Sequence, residues 1–281
     1  MKTTLISLLI LISSAASALT NSTPALDNQY ETQVMLRMEA RDPEGGSAPA
    51  FCNGTLISPR LVITAAHCVA HAWLLRDPRA DLDVGRYKFT TRPDGTVARI
   101  GYVPFLKSKS QGDFFVLNAT EARLQQTQFK TQIPPGEDVA LVVLREPLVL
   151  PLEFKFRNLV GKADLARVTA QVSAFSPAIL TINFWAHTKD SDTKRIAPLN
   201  VISYNAEGWF NSTSTSRVEE MDSGGGLLVT VNGEQQLLAV VKGRGESYFG
   251  NWDAYTLVGT RACELARKAR LNAEETAIAC R

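Results

Sequence analysis

The feature that most limits what this chain can fold into is a series of short apolar, β-branched runs, closed off by Gly, Pro, Asn or Asp and never alternating with long amphipathic helices. The runs at 33–38, 55–57, 60–64, 139–144, 166–173, 179–184, 227–231 and 237–241 read as strands. A parallel sheet needs a covering helix between successive strands, so the pattern points to an antiparallel barrel or sandwich. One region differs: Ala262, Leu265, Ala266, Ala269 and Leu271 recur at near-helical spacing among Arg and Lys, which predicts a surface helix over about 260–278. Between 70 and 132 the pattern is polar, with turn signals at "RPDG" and "KSKSQGD", and reads as insertions or long loops. Pro134-Pro135-Gly136 is the natural join between an N-terminal half, about 30–133, and a C-terminal half, about 137–260.

Residues 1–18 have the layout of a secretory signal peptide: Lys2, an apolar run from Leu5 to Ile12, then Ala16-Ser17-Ala18. The apolar run is too short to span a bilayer and nothing later approaches that length, so residues 19–281 are expected to be exported and soluble, secreted or periplasmic. A formal charge of +2 with both signs interspersed offers no stripe for nucleic acid or an anionic membrane, and neither is expected as a partner. The four cysteines of an exported chain pair more readily than they react, in one of three connectivities. Sequence spacing favours Cys52–Cys68 and Cys263–Cys280, each closing a loop worth roughly 3 kcal/mol. Asn21, Asn53, Asn118 and Asn211 open glycosylation sequons, a number close to chance.

Three stretches carry chemistry. In "EEMDSGGGLL" Ser223 stands between Asp222 and three glycines, where the backbone turns tightly or something approaches it closely. In "FCNGTLISPRLVITAAHC" two strands deliver His67 between small alanines and a cysteine, fixed and uncrowded. In "GEDVALVVL" Asp138 stands at the start of a strongly apolar strand, where a half-buried carboxylate needs a donor such as an imidazole N–H. Singly these are a turn, a structural histidine and a strand-end acid; together they supply a nucleophile, a base and an orienting group. A zinc site on His67, Cys68 and His71 competes weakly, because only three histidines exist, no Glu follows His67 and no Cys-x-x-Cys occurs. His71 and His187 read as ordinary polar residues.

"TAAHC" at 64–68, "CNGTLI" at 52–57, "DVAL" at 138–141 and "DSGG" at 222–225 together resemble the trypsin/chymotrypsin-like serine proteases, in that family's order of His, Asp and Ser. The likeness extends more weakly to "ETQVML" at 31–36 and "AYTLV" at 254–258. The resemblance implies an all-β fold of two packed six-stranded antiparallel β-barrels with a C-terminal helix, and a cleft holding His67, Asp138 and Ser223 as catalytic triad. It implies a serine endopeptidase acting as a monomer on protein or peptide substrates, with no cofactor and no metal. The backbone N–H groups of Met221 and Ser223 would form the oxyanion hole.

The departures from the family pattern are specific. Met221 stands where the family has glycine, and Glu219 replaces a cysteine, so the disulfide beside the specificity pocket is absent. A gapless count puts Arg217 at the pocket base, where trypsin-like members carry an acid, and Asp253 where they have a wall glycine. Either these two substrate-binding residues form an ion pair and the pocket is not simply basic-selective, or the count contains a gap. The family also matures by exposing an α-amine that pairs with the aspartate before the nucleophile. Counting back from Gln33-Val34 puts that terminus near Leu19, with Asp222 as the partner. A non-catalytic homologue that uses the cleft for binding, and an esterase, are the alternative functions.

Overall fold

The computed structural model describes residues 23–24, 31–41, 47–69, 81–91, 93, 97–104, 110–117, 133–150, 152, 154–172, 178–183, 194–199, 201–205, 209–212, 217–218, 222–247 and 250–281. The signal sequence, Leu19, His71, His187, Glu219, Met221, Asn21 and Asn118 lie outside them.

The described chain is mostly strands in two antiparallel sheets. The first sheet contains β2 (Gln33–Arg41), β3 (Ser47–Leu56), β4 (Leu61–Thr64), β5 (Asp81–Thr91), β6 (Val97–Pro104), β7 (Ser110–Val116) and β8 (Ala140–Leu144). Its order is β2-β3-β4-β8-β7-β5-β6, and β2 also pairs with β5 from Met35↔Gly85 to Glu39↔Asp81, so the pairing returns to its starting strand. The second sheet contains β1 (Thr23–Pro24), β9 (Ala178–Asn183), β10 (Lys194–Leu199), β11 (Val201–Asn205), β12 (Trp209–Ser212), β13 (Gly226–Val231), β14 (Glu234–Ser247) and β15 (Gly250–Leu257). Its order is β1-β10-β9-β13-β14-β15-β12-β11. The antiparallel, strand-dominated expectation is met; among the described residues the two sheets hold seven and eight strands. The step between sheets follows β8, so residues 134–136 precede the last strand of the first sheet.

Two local readings differ from the sequence. Residues 166–173, which read as a strand, fall largely in a helix, α1 (Lys162–Val172). Asp164 N and Leu165 N both donate to the Gly161 carbonyl, and Leu165 and Val168, three apart, pack on the core of the second sheet. The β-branched residues that suggested a strand belong to a segment otherwise rich in alanine. The polar stretch 70–132 contains β5, β6 and β7; β5 opens on alternation, with Leu82 between Asp81 and Asp83 and Val84 next, rather than on an apolar run.

The C-terminal helix is two helices, α2 (Gly259–Lys268) and α3 (Ala273–Ala279). Arg270, at φ 53°, breaks the run, and Asn272 caps α3 by accepting from Glu275 N at 2.8 Å. Both disulfides favoured by spacing are formed, Cys52–Cys68 beside the first sheet and Cys263–Cys280 joining α2 to α3. A third core cluster unites the halves: Leu61, Ile63, Leu141 and Val143 of the first sheet, Leu228, Leu237 and Val240 of the second, and Ala262, Leu265, Ala266 and Ala279 of the helices. No helix among the described residues is long and apolar enough to cross a membrane.

Candidate active site

His67 sits on a helical turn at residues 66–69, immediately after β4. The next residue is tied by its disulfide to β3, which fixes that turn. Asp138 lies between a 3-10 turn, Pro135–Glu137, and β8, and β8 pairs with β4 in register Thr64↔Ala140. That pairing carries the carboxylate to the imidazole. His67 Nδ1 lies 2.8 Å from Asp138 Oδ2, and His67 N donates to Asp138 Oδ1 at 2.9 Å. Asp138 is fully buried and the His67 side chain 10% exposed.

Burial pushes the Asp138 carboxyl up, but the charges of His67 and Lys242 and the hydrogen bonds from His67 outweigh it and hold the group below the usual carboxylate range. An ionised acceptor at Oδ2 makes Nδ1 the protonated nitrogen, which leaves Nε2 with its lone pair directed away from Asp138.

Ser223 comes from the other half, in the turn that opens β13. Its carbonyl accepts from Asn53 N on β3 at 2.8 Å, so a strand of the first sheet grips the Ser223 peptide itself. Gly224 has φ +77°, and a Cβ there would run into the Asn53 carbonyl and the Thr64 hydroxyl, which are themselves bonded at 2.6 Å. Gly225 N donates to the Asp222 carbonyl at 3.0 Å, and Gly224 N to the Val241 carbonyl at 2.9 Å. The glycines thus serve a turn pressed against a second backbone. Gln33 extends the seam: Nε2 donates to Gly54 O, and Oε1 accepts from Thr55 Oγ1 and from Gly226 N.

A family model described as Trypsin matches residues 20–256. The chain belongs to the trypsin family. Comparison with curated proteins gives no match.

Within this trypsin-family fold the structure brings His67 and Asp138 into direct contact and seats the Ser223 turn on β3. Arg217 Nη1 stands 4.0 Å from Asp253 Oδ1, and Asp253 Oδ2 accepts from Val218 N at 3.3 Å. Asp253 is fully buried, as are Asp222 and Tyr255. Burial first, then the charges of Asp253 and Asp222, push the Tyr255 hydroxyl well above its ordinary range against the opposing pull of Arg217. This trypsin-family chain therefore buries Asp222, Asp253 and Tyr255 close enough for the two carboxyl charges to act on the tyrosine hydroxyl.

Cys52, His67 and Cys68 bring ligand-type atoms within 4.8 Å of one another, but both sulfurs are consumed in the disulfide and offer no thiolate. Asn53 is fully buried, so its sequon is closed to a glycan in the folded protein. Sequence reasoning passed over Lys242, whose Nζ lies 3.6 Å from Asp138 Oδ2. Its only signal is a lone cation at the end of the apolar run 237–241. Gln33 and Asn53 were missed as clamps because their partners are distant in sequence.

Proposed function

We propose that the protein is an exported serine endopeptidase in which Ser223, His67 and Asp138 cleave peptide bonds. The observation that carries this reading is the His67 Nδ1 to Asp138 Oδ2 contact of 2.8 Å on a fully buried carboxylate, in a family whose chemistry is serine proteolysis. His67 Nε2 takes the Ser223 hydroxyl proton as Oγ bonds to the carbonyl carbon, and the C–N bond breaks as the same proton passes to the leaving amine. Water then repeats the sequence, giving its proton to Nε2 and its oxygen to the acyl carbon, and Ser223 regains its proton. Asp138 remains a carboxylate throughout, orienting the ring and offsetting the imidazolium charge. Because Gly224 N and Gly225 N are engaged with protein carbonyls, the N–H of Ser223 is the described donor best suited to the oxyanion. Met221 N is its proposed companion.

The two sheets are read as the two barrels of the fold, a reading that the return pairing of β2 with β5 supports for the first. Residues 1–18 are read as the export signal, and the mature protein as a monomer without cofactor. The ion pair of Arg217 with Asp253 favours a pocket that does not select simple basic side chains.

Fluorophosphonate labelling of the purified mature protein tests the reading. Wild type is expected to be labelled at Ser223, and Ser223→Ala to lose the label, since only a base-activated serine reacts quickly. A folded wild-type protein that resists labelling overturns catalysis and leaves the cleft as a binding site.

A further inference from the structure

Asp138 has a second cation beside it that the reaction above does not use. Lys242 Nζ lies 3.6 Å from Asp138 Oδ2, the oxygen that also faces His67 Nδ1. The lysine side chain is 14% exposed, so its ammonium is largely withdrawn from water against a fully buried carboxylate. The preceding residue, Val241, accepts from Gly224 N and donates to Gly225 O, both at 2.9 Å. Val241 belongs to the core of the second sheet, and Lys242 follows it at a β-bulge, where the register of β14 against β15 shifts between Val241 and Gly243. A single stretch of β14 therefore anchors the nucleophile's turn and reaches the acid–base pair.

Asp138 already has the imidazole as a partner. When the ring takes a proton, two cations share one carboxylate, and like charges at this range oppose one another. Among the described residues, the charged groups acting on the carboxylate are His67, from the helical turn at 66–69, and Lys242, from β14; Glu137, next in the chain, is half-buried.

We propose that Lys242 is a positioning residue for this site: it fixes Asp138 as a carboxylate and keeps the resting imidazole unprotonated, ready to act as base, at lower pH than Asp138 alone allows. Activity is thereby extended into mildly acidic conditions. The role rests on the serine-protease reading, but its test does not depend on turnover. The ring signals of His67 are followed by NMR across pH in a Ser223→Ala background, assigned by their loss in His67→Gln among the three histidines. Lys242→Met and Lys242→Gln are expected to raise the protonation midpoint by about one pH unit, with Lys242→Arg restoring it. In catalytically competent protein the acidic limb of kcat/KM moves by the same amount. A midpoint unchanged or lowered in the folded neutral variants overturns the proposal. An unlabelled, inactive wild type with a shifted NMR midpoint would instead sink the catalytic reading and leave the electrostatic role of Lys242 standing.

Discussion

Gly224 is the residue on which the geometry of Ser223 depends most directly. Its φ of +77° already disfavours any side chain, by about 1–3 kcal/mol, and a Cβ would also collide with Asn53 and Thr64. Gly224→Ala is therefore expected to lower stability by at least that amount and to abolish labelling of Ser223, as denaturant titration and probe reactivity would measure. Gly233, also at positive φ, has open space around it, and Gly233→Ala should leave labelling intact while costing only the backbone strain. Asp138 sets a second expectation at this scale. Its carboxyl is held below its ordinary range, so the folded state binds that proton less readily than the unfolded chain. The stability it contributes is complete above the ordinary carboxylate range and is lost as pH falls through the depressed folded value. Unfolding measured from neutral pH downward should show the gap between wild type and Asp138→Asn closing in acid; a gap that stays constant would contradict the assignment.

Among elements, β2 has the widest responsibility for its length. Through Gln33 it bonds β3 twice and the start of β13 once, joining the two sheets at the seam that presents Ser223. Gln33→Ala removes three buried hydrogen bonds and strands their partners, with an expected cost of at least about 2 kcal/mol. The loss of labelling should exceed that of a comparably destabilised variant far from the seam, such as Val168→Ala in α1; equal losses would deny the seam a special role. This seam also marks how far the sequence could be read. "TAAHC" and "DSGG" are short because a histidine on a fixed turn and a serine on a tight one are local problems, and local solutions leave contiguous signatures. The clamp of Asn53 on Ser223 and the approach of Lys242 to Asp138 join residues more than a hundred positions apart, for which no periodicity exists. Strand β5 escaped notice because pairing on both edges, with β2 and β6, can hold a strand whose composition is half polar. Helix α1 was hidden because Val168, Thr169 and Val172 carry strand propensity, which tertiary packing of Leu165 and Val168 overrides.

For the whole molecule, the C-terminal helices lock the two sheets together. Lys268 Nζ donates to Val116 O on β7, and Arg60 reaches from the β3–β4 turn to Glu275 on α3 at 2.9 Å while also donating to Leu144 O. The Cys263–Cys280 disulfide closes a 17-residue separation and holds α2 against α3. Replacing both cysteines by serine is expected to lower stability by roughly 3 kcal/mol. Because the helices share one core cluster with both sheets, the loss should appear as an earlier single transition, the same by circular dichroism and by tryptophan fluorescence. Separate transitions would mean that the halves unfold independently.

The grip of Asn53 on the Ser223 carbonyl also has a temporal meaning. A ribosome finishes β4 and β8, next to which His67 and Asp138 stand, well before it reaches Ser223, and the glycine turn has no Asn53 or Thr64 to press against until β3 and β4 are in place. On the proposed function, a half-made copy therefore holds a base without a presented nucleophile. On that reading competence arrives with the last act of assembly, and a lesion that parts the two sheets should disarm the protein before it unfolds it.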